Sequence, residues 1–232
     1  SAPPREPHFL KLLYSSKHST RIRKKGLRFL YFKSILFFMG LAEKKPFYTE
    51  QEYLEIDRNS ELRNELLDGE IYAMTGASLK HNIISLNIAS SLKSLFKQKE
   101  CKVFMADLRV NVSKGLYTYP DILIVCGNIL FTDDHLDTVK NPKCIIEVLS
   151  DSTEKYDRGE KFRNYRKIES LEEYILISQN EILAEKYYRK KEDFWEYSVF
   201  DGLDKSVNID SIGIRLSMQE IYAETDLMTA SP

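Results

Sequence analysis

From Tyr48 onward, apolar and polar positions recur with two periods, and those periods predict the elements. Thr49-Glu50-Gln51-Glu52 is a capping box that opens a short helix over residues 50–58. Residues 64–67 and 70–74 flank Asp68-Gly69, a pair suited to a type I′ turn, and predict a hairpin. Ile84, Ile88, Leu92, Leu95 and Phe96 stand at helical spacing and predict a helix over 79–99 with a basic end, Lys93, Lys97 and Lys99. Residues 102–112 read as one strand. The runs 119–125 and 144–149 are largely apolar but for one acid each, the pattern of central strands buried on both faces. A polar loop over 133–141 separates them. A charged helix over 154–167, a strand over 173–177, an antiparallel pair over 185–188 and 195–200, and a closing helix over 216–222 complete the pattern.

The first 46 residues read differently. Residues 1–25 are polar and basic, residues 27–32 are mostly aromatic, and after Lys33 residues 34–42 are uncharged. That run falls well short of the roughly 20 residues a membrane span needs. Its late start and the interrupting Lys33 argue against a secretory signal. Met39 stands just ahead of the patterned region, so the segment is expected to be a mis-assigned start or an appended, poorly ordered extension. A basic amphipathic docking helix is the alternative. The organisation expected is an extension over 1–46, a domain over 47–225 and a tail over 226–232.

Composition and charge sharpen this picture. With 232 residues and 43% hydrophobic side chains, the chain can bury one sizeable core. Its net charge of −1 conceals 11 Lys or Arg against two Glu in residues 1–46, which leaves −10 on the body. Such a body repels phosphate, so a nucleic acid would have to meet local basic patches. Cys101, Cys126 and Cys144 are widely separated, lie among apolar residues and lack zinc-ligand spacing. They are expected to be reduced core thiols of a cytoplasmic protein. The histidines, at 8, 18, 81 and 135, are too scattered for a His-rich metal site.

Candidate chemistry resides in the two acids that interrupt apolar strands, Asp121 in Tyr119-Pro120-Asp121-Ile122 and Glu147 in Ile145-Ile146-Glu147-Val148. A buried carboxylate is unfavourable unless something compensates it. Two such acids on adjacent strands would repel each other unless a divalent cation lay between them. The plain alternative, that each caps a strand end or pairs with a nearby Arg, is about as well supported by spacing alone.

The same residues resemble a known pattern. Pro120-Asp121, followed by Glu147 in an apolar strand, is similar to the PD-(D/E)xK nuclease superfamily. The ordered set Asn64-Glu65-Leu66-Leu67-Asp68-Gly69-Glu70, His81, Pro120-Asp121, Glu147-Val148-Leu149-Ser150 and Asp157-Arg158-x-x-Lys161 with Tyr165 resembles the Uma-type family of putative bacterial restriction endonucleases, over about residues 47–222. The resemblance implies an α/β fold with a restriction-endonuclease-like core: a central mixed sheet flanked by helices in the order αβββαβ, here with an added N-terminal hairpin and C-terminal strands. The elements read from periodicity fall in that order.

By this resemblance Asp121 and Glu147 ligate Mg²⁺ or Mn²⁺, with Glu65 adding to the metal shell. The superfamily lysine would stand two residues after Glu147, where this chain has Leu149. In the Uma-type pattern it lies on the following helix, as Lys161, from which a four-carbon stem can reach a strand-borne site. Lys161 also follows Asp157 by four residues, the spacing of a plain ion pair. His81, Asp107 and Arg158 are accessory candidates. For each, a structural role is the alternative: a satisfied histidine, an Asp107–Arg109 or sheet-edge pair, and a solvated helix face. Tyr187, Tyr188, Trp195 and Tyr197 are expected to pack rather than stack on bases.

The function expected is a Mg²⁺-dependent endonuclease acting on nucleic acid, DNA before RNA, with no membrane association. Cutting both strands of a duplex would favour a homodimer. The alternative is a catalytically inactive nuclease-like scaffold that binds nucleic acid or a protein, which Leu149 and the acidic body would suit.

Overall fold

The computed structural model describes residues 47–74, 76–96 and 100–229. The expectations for residues 1–46, and for Lys97 and Lys99, lie outside the described residues. The capping box closes as read: Glu52 Oε2 accepts from the Thr49 backbone N–H at 2.9 Å, and Thr49 Oγ1 from that of Glu52 at 3.3 Å. It starts α1 (Glu50–Arg58), which buries Tyr53 and Asp57. Strands β1 (Asn64–Leu67) and β2 (Glu70–Ala73) form the hairpin, with Asp68 and Gly69 at φ 49° and 85° as a type I′ turn requires. Ser78 caps α2 (Leu79–Leu95). Ile84, Ile88, Leu92 and Phe96 are buried along it, but Leu95, expected on that face, is exposed.

The expected strand over 102–112 is two strands. β3 (Cys101–Met105) ends at Ala106, whose φ is 23°, and the chain passes into β4 (Arg109–Ser113) of a second sheet. It returns by the same route. β5 (Leu116–Thr118) pairs with β4, then Tyr119-Pro120-Asp121 carries the chain back to β6 (Ile122–Cys126) beside β3. Pro120 lacks an N–H and cannot continue a ladder, which suits it to this crossing. Within the expected polar loop, Thr138–Val139 is a short strand, β7, parallel to β4.

β8 (Cys144–Leu149) is antiparallel to β6 and parallel to β9 (Glu173–Ser178), and every residue of both is buried. Between them runs α3, which comprises an α-helical turn (Glu154–Tyr156), a π-helical segment (Asp157–Lys161) and a second α-helical turn (Phe162–Tyr165). β10 (Leu183–Lys191) and β11 (Phe194–Asp201) are the expected antiparallel pair. The closing segment differs from expectation. Residues 214–217 form a strand, β13 (Ile214–Ser217), paired with β12 (Ser206–Ile209), and only α4 (Met218–Ile221) is helical.

The sheets therefore run β2-β1-β5-β4-β7 and β11-β10-β9-β8-β6-β3, with β12-β13 a separate ribbon. In the six-stranded sheet, α2, β3, β6, β8, α3 and β9 follow the αβββαβ order. Alternate residues of β6, β8 and β9 feed two cores. Ile124, Ile146 and Ile175 pack with α2 and α4, whereas Val125, Ile145 and Leu176 pack with Tyr165 and Ile168. Burial on both faces explains why these strands read as unbroken apolar runs. Among the described residues no helix is long and apolar enough to cross a membrane.

The cysteine expectation is corrected. Cys101 and Cys126 stand opposite each other in the β3–β6 register and are joined as a disulfide, while Cys144 is free and buried. Their 25-residue separation in sequence gives no sign of this, because only the strand register brings them together.

Candidate active site

The site forms where the β6–β8 ladder ends. Ile122 and Ile146 are its last paired residues, and the next positions on either strand are Asp121 and Glu147. Their carboxylates replace the missing ladder bonds. Glu147 Oε2 accepts from the Asp121 N–H at 3.2 Å, and Asp121 Oδ2 accepts from the Val148 N–H at 2.8 Å. The two acids are thus adjacent, each held by the other's strand. Strand-end capping, the plain alternative, is present, though it occupies Asp121 Oδ2 and Glu147 Oε2 rather than whole carboxylates.

Lys161 approaches Glu147 from α3. Its Nζ is 2.9 Å from Glu147 Oε1, 3.3 Å from Asp157 Oδ1 and 3.9 Å from Glu65 Oε1. The π-helical segment supplies both Asp157 and Lys161, and both are buried. A lysine displaced from the strand therefore reaches the strand's acid, and the i,i+4 ion pair with Asp157 accompanies that contact. Glu65, on β1, accepts from the Tyr119 N–H at 3.1 Å, which fixes it beside the crossing that presents Asp121.

Burial raises the Glu147 carboxyl well above the usual carboxylate range, against the pull of Lys161. Burial likewise raises Glu65. Burial would lower Lys161, but Glu147, Tyr165, Glu65 and Asp157 outweigh it and hold the ammonium well above its ordinary pKa. Three carboxylates, Glu147, Asp157 and Glu65, thus lie within 3.9 Å of one ammonium, and Asp121 adjoins Glu147. That excess of negative charge is relieved by protons or by a further cation.

The donor chemistry fits a divalent hard cation. Asp121 and Glu147 offer adjacent carboxylates, and Mg²⁺ is commonly bound by one or two carboxylates with several waters retained. Among the described residues no three His, Cys, Asp or Glu side chains are already grouped around one ion position, so Glu65 does not complete a three-ligand set here.

The accessory candidates separate. His81, on the first turn of α2, belongs to the cluster: its Nε2 is 3.1 Å from Asp121 Oδ2, and its buried Nδ1 has no hydrogen-bond partner among the described residues. Burial would lower the imidazole's pKa, but the bond to Asp121 raises it overall. Asp107 is not in a strand. It lies exposed at the bend between β3 and β4 and pairs with Arg63 at 3.2 Å. Its expected partner Arg109 is instead buried against Asp57 and Asp137. Arg158 pairs with Glu154 and with Glu185 of β10, which makes it a cross-link between α3 and the sheet. Tyr187, Trp195 and Tyr197 pack as expected, with Phe162 and Tyr187 rings 4.1 Å apart.

Tyr165 contributes more than its place in the motif showed. Its hydroxyl donates to Glu147 Oε1 at 3.0 Å and lies 3.0 Å from Thr118 Oγ1. A tyrosine at the apolar spacing of a helix reads as core, and its bond to Glu147 is visible only once α3 is packed on β8.

A family model described as putative restriction endonuclease, Uma2, matches residues 50–219. Two uncharacterised proteins of Synechocystis sp. (strain ATCC 27184 / PCC 6803 / Kazusa) are similar. One is 31% identical over 76% of this chain and 92% of its own length, the other 33% identical over 63% and 84%. The crystal structure of a putative nuclease belonging to DUF820 from Anabaena variabilis ATCC 29413 superposes with a TM-score of 0.64 at 21% identity, covering 75% of this chain and 97% of that one. At that identity the likeness speaks for the fold, and it agrees with the restriction-endonuclease-like core.

Proposed function

Because the chain belongs to the Uma2 family of putative restriction endonucleases, we propose that it is a Mg²⁺- or Mn²⁺-dependent endonuclease that hydrolyses phosphodiester bonds of DNA. The observation that supports this best is the meeting of Asp121, Glu147 and Lys161, drawn from the crossing before β6, from β8 and from α3, at one ladder end. Asp121 and Glu147 would hold the cation, with Glu65 beside them. When bound, the ion would lower the pKa of a coordinated water and offset charge on the attacked phosphate.

The chain's own residues supply the rest. Lys161, kept protonated by its acidic neighbours, can donate to a non-bridging phosphate oxygen or orient the attacking water. Tyr165, whose hydroxyl also bonds Thr118, restrains Glu147, and His81 restrains Asp121, so both carboxylates stay aimed as the phosphorus–oxygen bond breaks. The test is supercoiled plasmid incubated with Mg²⁺ or Mn²⁺, with EDTA and Asp121→Ala as controls. Nicking that needs metal and is lost in the variant is the expected result. Metal-independent nicking, or nicking retained by Asp121→Ala, contradicts it.

One observation favours a second reading, a non-catalytic scaffold: Lys161 already compensates Glu147, and no three-ligand group is preformed among the described residues. Absence of cutting together with absence of calorimetric Mg²⁺ or Mn²⁺ binding would select it.

A further inference from the structure

A cavity of about 550 Å³ opens beside the site on the side of Glu65. Aromatic and acidic side chains dominate its lining, among them Phe47, Tyr72 and Tyr156 and the acids Glu65, Glu70 and Glu160. Tyr72 and Phe47 are 48% and 65% exposed, so their apolar faces are open to a ligand. The Tyr72 hydroxyl donates to Glu70 Oε2 at 2.7 Å, which restrains the ring at the rim. Deeper in, the Tyr156 hydroxyl is buried with no hydrogen-bond partner among the described residues, and its ring centroid lies 5.8 Å from Lys161 Nζ. A buried phenol without a partner calls for a polar atom from outside.

The volume lies within the range of ligand sites and accommodates a flat heterocycle. The carboxylates disfavour a phosphate inside the cavity but accept hydrogen bonds from exocyclic amines. Aromatic faces beside carboxylate acceptors match a nucleobase. A second cation is less suited, because Lys161 already lies against the Tyr156 ring. In a duplex both base faces are stacked, so only an unpaired or extruded base could enter.

We propose that this cavity seats one unpaired base of the nucleic acid, next to the phosphate presented to Asp121 and Glu147, so that single-stranded or locally unpaired strands are the preferred substrate. The proposal rests on the phosphodiesterase reading above, and its test separates the two by reading binding without chemistry. A short labelled single strand is titrated by fluorescence anisotropy in Ca²⁺, intact and with one abasic site stepped along it, against wild type, Tyr72→Ala and Tyr72→Phe.

One abasic position is expected to weaken wild-type binding about 10-fold, within the range of base–aromatic stacking. Tyr72→Ala should weaken the intact strand similarly and become indifferent to the abasic site, while Tyr72→Phe keeps the response. The duplex of the same sequence should bind more weakly than the single strand. Equal wild-type affinity for intact and abasic strands at every position, or unchanged affinity in Tyr72→Ala, overturns the proposal. So does Tyr72-dependent capture of a Lys-rich peptide while strands are unaffected, which would assign the cavity to a cation. If base-dependent binding holds but plasmid is never cut, the cavity stands and the phosphodiesterase reading alone fails.

Discussion

Lys161 is the residue on which the account depends most. Lys161→Met would leave Glu147 buried opposite an apolar side chain, and breaking a buried pair in this way costs about 3–5 kcal/mol. Part of that loss is recoverable, because Glu147 can take up a proton. Its carboxyl is already raised by burial, and removing the ammonium raises it further. A group whose folded pKa lies above its unfolded value favours folding at low pH and loses that contribution as pH rises through the folded pKa. In EDTA, the denaturation midpoint of Lys161→Met should therefore fall below wild type by an amount that grows from acid toward neutral pH. A deficit independent of pH would contradict the burial of Glu147 described here. Tyr165→Phe removes one donor from Glu147 and leaves the packing intact, so its urea midpoint should drop by the equivalent of about 1 kcal/mol. At this scale the pair Asp121 and Glu147 was legible because an acid inside an apolar run is conspicuous. Lys161 and Glu65 were reached only through resemblance. Asp107 was misplaced because the bend before Arg109 leaves no mark in an otherwise strand-like run.

Elements whose signals are local matched best. The capping box at Thr49 and the turn at Asp68-Gly69 act within a few residues, and both appear where expected. Gly69→Ala tests the turn. At φ 85° a side chain is strained, and its Cβ would stand 2.9 Å from Phe47 Cδ1, so a loss of about 1–2 kcal/mol in chemical denaturation is expected. Asp68→Gly, at φ 49°, should be close to neutral in the same measurement. The strand switches were not legible: the run 102–112 is strand-like on both sides of its bend, and Pro120 marks a break without showing which ladder follows. Tertiary pairing makes the cuts, at Ala106 and at Tyr119-Pro120-Asp121. Those cuts place Asp121 at a ladder end, where its carboxylate can face Glu147. The β12–β13 ribbon was missed because its strands span only four residues each, too short for alternation to register.

Across the whole molecule, the six-stranded sheet is the platform, and its two buried faces make the core insensitive to surface change but not to truncation. Ile146→Ala, beside Glu147 and buried between β6 and β9, should cost about 2–5 kcal/mol by thermal or chemical denaturation. The disulfide across β3 and β6 is a tertiary fact that cysteine spacing could not reveal. Maleimide labelling of the denatured protein should find one reactive thiol, Cys144, before reduction and three afterwards, and labelling of the native protein none before reduction. The acidic body still disfavours broad phosphate contact, which is consistent with recognition confined to one strand at one cleft.

The central claim is that Asp121, Glu147 and Lys161 form one metal-dependent hydrolytic site, in which the acids hold the ion and the lysine serves the chemistry. The most direct measurement is the metal-concentration dependence of plasmid nicking by wild type, Glu147→Gln and Lys161→Met, with calorimetric metal binding on the same samples. The account predicts saturable metal-dependent nicking by wild type, loss of both binding and cutting in Glu147→Gln, and in Lys161→Met a retained metal affinity with cutting reduced at least about 100-fold. Nicking at the wild-type rate by Glu147→Gln or by Lys161→Met would contradict it.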